Sequence, residues 1–238
     1  MKLQRLLSYV RKACDEYQMI REGDKIAVGV SGGKDSLALL IALANLRRFY
    51  PKKFELCAIT ISLGFPGSRF DGIAELCGGL GVPFSLVETD IGEIVFDARK
   101  EKNPCSLCSK MRKGALNAEA GRLGCDSVAL GHHKDDVCET LFLSLFYEGR
   151  IHTFSPVTFL DRRNLSCIRP LIFAPESDII SFAKSEGLSV LKNPCPADGE
   201  TKRREMKAFL REQAALHHGL PEKIFGAIRR SDIQGWGK

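Results

Sequence analysis

The segment Lys25–Leu46, KIAVGVSGGKDSLALLIALANL, constrains this 238-residue chain more than any other. The short β-branched run Lys25–Val30 predicts a buried strand. Ser36 to Arg48 predicts a helix, ended before Pro51 because proline disfavours helical backbone in the preceding residue. Between the two lies Ser31-Gly32-Gly33-Lys34-Asp35-Ser36. Adjacent glycines let the backbone turn tightly and come close to a ligand. The helix that follows offers unpaired N–H groups and the positive end of its dipole. Ser31, Lys34 and Ser36 add donors, so this strand–loop–helix is built to hold phosphate. A purely structural turn does not call for a lysine, an aspartate and two hydroxyls together. It is not a Walker A loop, since Asp35 follows Gly33-Lys34 and Val28 stands where the leading glycine belongs.

Further along, FELCAITISL, PFSLVETD and CDSVALG predict three more strands. Helices are expected over Phe70–Leu80, Met111–Gly121 and DVCETLFLSLFY. The remainder holds a strand pair (PVTFL, LSCIRPL), a capped helix over Glu176–Glu186 and a helical tail after Gly199. Strands alternating with helices predict an α/β fold: a doubly wound, mostly parallel sheet with helices on both faces and a helical C-terminal tail. The expected division is an N-terminal helix in residues 1–23, the main domain in 24–198 and the tail in 199–238. In such folds ligands bind at the carboxyl ends of the strands, where SGGKDS and GHHKDD both fall.

With 44% hydrophobic and 27% charged residues the composition is that of a globular protein. No run nears the ~18 apolar residues of a membrane span. The amphipathic N-terminus lacks the apolar core and cleavage site of a secretory signal. A cytoplasmic protein with no membrane association is expected. The net charge of +6 is a weak sign of a polyanionic partner. Its clustering says more: Lys110, Arg112 and Lys113 in one segment, and Lys202, Arg203 and Arg204 in another, are candidates for contacts to the backbone of a polyanion.

The GHHKDD loop places Gly131, His132, His133, Asp135 and Asp136 beside the ligand edge. Asp135 or Asp136 is expected to cap the following helix. Gly131 and His132 are candidate nucleotide contacts. Asp35, Asp135 and Asp136 are candidate oxygen ligands for a Mg²⁺ that bridges phosphates.

Nine cysteines are many for a chain whose thiols stay reduced. Cys57 and Cys167 lie in strands as small hydrophobes, and Cys14, Cys77, Cys125 and Cys138 are isolated. Cys105 and Cys108 form a Cys-x-x-Cys turn after Asn103-Pro104, and Cys195 follows a second Asn-Pro. Both sit beside cations that favour thiolates. A redox pair explains Cys105 and Cys108 but leaves Cys195 idle. A structural zinc asks for four ligands. An iron–sulfur cluster on three cysteines falls short of the usual four and so leaves one iron open.

SGGKDS after an N-terminal strand resembles the pyrophosphate loop of the PP-loop ATPases. Taken in order, that loop, CSLCSKMRKGAL, LGHHKDDVCETLFLSLFYEG and a later lone cysteine resemble the tRNA 2-thiocytidine synthetase family, from about Ser8 to about Arg211. The resemblance implies ATP cleavage between the α- and β-phosphates, adenylation of cytidine 32 of tRNA, and sulfur insertion. By matching positions it places pyrophosphate on Ser31–Ser36 and a 4Fe–4S cluster on Cys105, Cys108 and Cys195. It makes Lys34 the stabiliser of the leaving group and sets Arg112 where related 2-thiouridine synthetases carry a catalytic lysine. It further implies a homodimer and a sulfur donor such as a cysteine desulfurase. This chain departs from the family in its lone Cys195, where members carry a further cysteine nearby. Two other functions share parts of the pattern. A lysidine-type ligase shares the loop but gives the three cysteines no role. A non-catalytic iron–sulfur RNA-binding protein leaves the loop unused.

Overall fold

The computed structural model describes residues 2–99, 104–191, 195 and 201–237. Six strands, β1 (Lys25–Gly29), β2 (Glu55–Ser62), β3 (Phe84–Glu88), β4 (Ser127–Ala129), β5 (Val157–Leu160) and β6 (Leu165–Ile168), form one sheet in the order β3-β2-β1-β4-β6-β5. All neighbours are parallel except β5, which pairs antiparallel with β6 across a tight turn. The helices are α1 (Leu3–Glu16), α2 (Lys34–Leu46), α3 (Asp71–Gly79), the short α4 (Ile91–Glu93), α5 (Pro104–Arg122), α6 (Lys134–Leu143), α7 (Glu176–Ser185), α8 (Lys202–Leu216) and α9 (Leu220–Arg229). The α/β expectation therefore holds. No helix among the described residues is long and apolar enough to cross a membrane.

Both sheet faces are covered, because alternate residues of a strand point to opposite sides. Ile26 and Val28 of β1 with Leu56 and Ala58 of β2 enter the larger core, under α1, α2, α3, α7 and α9. Ala27, Cys57 and Ile59 enter a smaller core under Leu116 and Ala120 of α5. Every residue of α2 from Ser36 to Ala44 is buried, as an all-round apolar helix requires. The six cysteines expected to be packing residues are all buried. Two of them meet: the sulfurs of Cys57 and Cys125 lie 3.4 Å apart in the smaller core.

Several boundaries move. α2 begins at Lys34, two residues before the expected start, and α6 begins at Lys134 rather than Asp136. α5 begins at Pro104, seven residues before Met111, so Cys105 and Cys108 occupy a helical turn instead of a loop. Proline at the first helical position costs nothing there, since its missing N–H would have no intrahelical partner. α4 and the π-helical turns Ile94–Ala98 and Ser144–Glu148 carry no sequence signal that predicts them.

The tail packs on the same core as the sheet. Phe225 and Ile228 are buried, and Trp236 is only 2% exposed. The Trp236 ring meets Tyr17 and Phe225 edge-on, and its Nε1–H donates to the Phe154 carbonyl at 3.1 Å. Trp236→Ala is expected to lose about 3–5 kcal/mol of stability, measured by urea unfolding.

Candidate active site

Strand order reverses between β1 and β4, and the loops leaving these two strands face each other across the resulting crevice. After β1 the loop closes on itself. The Ser31 N–H donates to Ser36 Oγ at 3.1 Å, the two hydroxyls lie 3.2 Å apart, and Ser36 Oγ donates to the Gly33 carbonyl at 2.9 Å. Gly33 begins α2 with no side-chain cap, which leaves the first-turn donors without a side-chain acceptor. Gly32 has φ +80°, and a Cβ there would lie 2.6 Å from Leu191 Cδ1. The Leu191 N–H donates to the Gly32 carbonyl at 3.0 Å. The chain leading to Cys195 is thereby fastened to the phosphate loop.

The loop after β4 comes equally close. A Cβ on Gly131 would lie 3.0 Å from the carbonyl carbon of Asp35 and 3.1 Å from the Ser36 nitrogen. The expected capping role of Asp135 or Asp136 needs correcting, because His133 is the N-cap of α6. Its Nδ1 accepts from the Asp136 N–H at 3.4 Å, while Asp136 Oδ2 accepts from the His133 N–H at 3.0 Å, a reciprocal capping box. Asp135 caps a different helix. Its Oδ2 accepts from the Glu176 N–H at 2.7 Å, satisfying the start of α7, whose own N-cap Pro175 provides no side-chain acceptor.

That bond sets Glu176 against the phosphate loop. Lys34 Nζ lies 2.9 and 3.0 Å from the Asp35 oxygens and 3.1 Å from Glu176 Oε1. Lys207 Nζ donates to the same Glu176 oxygen at 2.5 Å. Burial works against the Glu176 carboxylate, but Lys207 and Lys34 outweigh it and hold the carboxyl down to about 2. Burial likewise works against the Lys34 ammonium, and Asp35 and Glu176 reverse that and raise it. Sequence reasoning missed Glu176, which reaches Lys34, and Lys207, which reaches Glu176, because they come from helices with no motif of their own.

The cleft holds about 590 Å³. Ser31, Asp35, His132 and Asp136 line one side, and Arg112 and Lys113 of α5 line the other. Burial, then the nearby Arg169 charge, push His132 down to about 4, so its ring is neutral at physiological pH. Arg203, exposed in the first turn of α8, lines the cleft, with Nη1 3.1 Å from Asp136 Oδ1 and Nη2 donating to Thr140 Oγ1 at 3.2 Å. Lys202 lies over the Tyr147 ring, 4.1 Å from its centroid, and Arg204 is exposed in the first turn of α8. Lys110 is exposed on α5, outside the residues that line the cleft.

Cys105 and Cys108 stand three apart in the first turn of α5 and so share a helix face. Cys105 is exposed, while Cys108 and Cys195 are half-buried. Burial raises the Cys108 thiol, Arg112 is near enough to lower it, and Cys195 and Cys105 are near enough to raise it further. Cys105 and Cys195 thus both lie near Cys108, one turn of α5 from the cleft residue Arg112. Among the described residues no three His, Cys, Asp or Glu side chains form a ready-made metal cage.

Two outcomes test this geometry. A carboxyl held below its unfolded value stabilises the fold above about pH 4.5, and that contribution fades as pH falls toward 2. Glu176→Gln is therefore expected to flatten the loss of stability between those limits, followed by thermal melting against pH. Gly131→Ala, forced against the backbone of Asp35 and Ser36, is expected to weaken ATP binding about tenfold or more by calorimetry.

Comparison with known proteins agrees with this arrangement. Residues 4–214 match the PP-loop domain family. The tRNA-cytidine(32) 2-sulfurtransferase of Pelobacter propionicus is 44% identical over 211 residues, covering 87% of this chain and 78% of the relative. The enzyme of the same name from Geobacter sulfurreducens is 38% identical over 239 residues, covering 99% and 90%. In three dimensions the chain is similar to the U34-tRNA thiolase NcsA from Methanococcus maripaludis with its 4Fe–4S cluster. The TM-score is 0.76 at 25% identity, over 92% of this chain and 76% of that one. The NH3-dependent NAD synthetase of Campylobacter jejuni shares the fold alone, with a TM-score of 0.52 at 18% identity. The phosphate loop, the cysteine-bearing helix beside it and these likenesses across most of the chain agree: it belongs to the PP-loop tRNA-cytidine(32) 2-sulfurtransferase family.

Proposed function

We propose that this protein is an ATP-dependent tRNA sulfurtransferase that replaces O2 of cytidine 32 with sulfur. One observation supports the reading: α5, the helix that carries Cys105 and Cys108, lines the same cleft as the pyrophosphate-type loop through Arg112, one turn on from Cys108. Ser31–Ser36 and the open start of α2 take the β- and γ-phosphates of ATP. The base O2 bonds to the α-phosphorus as the bond from that phosphorus to the bridging oxygen breaks, and pyrophosphate leaves. Lys34 meets the charge that grows on it, a fixed donor that needs no reorganisation. His132, neutral at this pH, adds no charge to the nucleotide wall. Arg112 faces the adenylated base from α5. Sulfur then bonds to C2 and AMP departs.

Mg²⁺ suits Asp35 and Asp136, whose charge Lys34 and Arg203 now meet. Asp135 is the poorer ligand, since one of its oxygens already caps α7. The thiols Cys105, Cys108 and Cys195 fit a 4Fe–4S cluster by donor chemistry: three soft ligands from two segments, fewer than four, beside a cation that favours thiolate. When bound, the cluster supplies the sulfur-delivery chemistry that the thiols alone lack. The family resemblance adds a cytoplasmic homodimer served by a sulfur donor such as a cysteine desulfurase.

The test uses anaerobically purified protein, with iron, acid-labile sulfide, ATP–pyrophosphate exchange and tRNA thiolation measured on each variant. Lys34→Ala is expected to lose exchange and thiolation while keeping iron. Cys195→Ala is expected to lose iron and thiolation while ATP affinity stays within about twofold. A Cys195→Ala protein that still thiolated tRNA would overturn the cluster assignment.

A further inference from the structure

On the β6 side of the cleft the fold buries a cation that no carboxylate among the described residues meets. Arg169, which follows β6, is 6% exposed and lines the cleft wall with His132. Its Nη1 is anchored, donating to the Ser155 carbonyl at 2.6 Å and to Thr158 Oγ1 at 3.2 Å. Among the described residues the Nε–H has no acceptor, and His132 Nδ1 is also buried without a partner. Both side chains rest on Phe154, the guanidinium 4.9 Å and the imidazole 4.8 Å from its ring centroid. Burial is the main influence on Arg169, and no described carboxylate offsets it.

Desolvating a guanidinium without an anion costs several kcal/mol, and a well-packed apolar residue would avoid that cost. A buried orphan of this kind is explained when a ligand brings the missing charge. The ATP pyrophosphate is already provided for, by Lys34 and the start of α2 beside β1. Arg169 lies two strands away, beyond β4. Arg112 and Lys113 on α5 and Arg203 on α8 line the same cleft as Arg169. Several cations in one cleft suit a strand that carries its own repeated phosphates, and a planar guanidinium suits a phosphate's paired oxygens.

We propose that Arg169 is a second phosphate subsite, which takes a phosphodiester of the RNA strand whose base enters the cleft. This rests on the reading of tRNA as substrate. A phosphate of ATP shares the chemistry and is separated by the test.

The experiment measures tRNA binding against salt, ATP-analogue binding by calorimetry and thermal melting, for wild type, Arg169→Gln and Arg169→Lys. Arg169→Gln is expected to weaken tRNA binding about tenfold to hundredfold. Its log–log salt slope should shrink by about 0.7–0.9, with ATP affinity unchanged and the melting temperature no lower. Arg169→Lys keeps the charge and loses the fork, so it should bind tRNA more weakly than wild type with the slope retained. If Arg169→Gln does not fold, the lysine variant carries the test alone. Loss of ATP affinity as large as the loss of tRNA affinity overturns the proposal. So does a lowered melting temperature with tRNA binding and slope intact, the mark of a structural residue. A wild type that binds no tRNA overturns the substrate reading itself, whereas wild-type binding matched by both variants overturns only the subsite.

Discussion

The hydrogen bond from the Glu176 N–H to Asp135, 2.7 Å long, ties together parts of the chain 41 residues apart. It satisfies the first turn of α7 with a carboxylate from the first turn of α6, so the two helix starts are fixed side by side. Asp135 is held in place because the His133–Asp136 capping box fixes the start of α6. Gly131 in turn lets that start lie against the backbone of Asp35 and Ser36. With both helix starts held, Glu176 has one place to go, beside Lys34. The phosphate loop is thus positioned less by its own residues than by backbone approaches that only glycine and a cross-helix cap permit.

Charges in the cleft alternate. Lys34 answers Asp35 and Glu176, and Glu176 answers Lys207. Arg203 answers Asp136 and lies 3.5 Å from Glu139, whose carboxyl burial and Asp136 push up to about 7. Each of these charges has a partner in the protein, which keeps a half-buried polar site from destabilising the fold. A nucleotide with its divalent cation offers the same two signs of charge and can replace those partners pair for pair. Arg169 stands outside this exchange, since no described carboxylate shares its place.

The sheet and the loop were legible because they rest on local signals: a β-branched run, a glycine pair, and an apolar helix buried all round. Cys105, Cys108 and Cys195 were legible as a set from a repeated tripeptide, although Pro104 starts a helix where a turn was expected. The pairing of Arg203 with Asp136 was not legible, because a run of cations does not say which of its members the fold turns toward a carboxylate. Glu176, Lys207, Leu191 and Arg169 gave no warning. Their roles come from contacts across the fold, and no periodicity or spacing encodes which helix start will need a distant carboxylate.

The paired sulfurs of Cys57 and Cys125 bear on any chemical inventory of this protein. They lie in the smaller core behind α5, with β1 between their strands, and play no part in the cleft. Air oxidation reaching that core would remove two thiols from a total titration without touching Cys105, Cys108 or Cys195. Total thiol counts on unfolded protein therefore mix two unrelated chemistries. Alkylation of the native protein separates them, since Cys105 is open to reagent while Cys57 and Cys125 are shielded by the packing that brings them together.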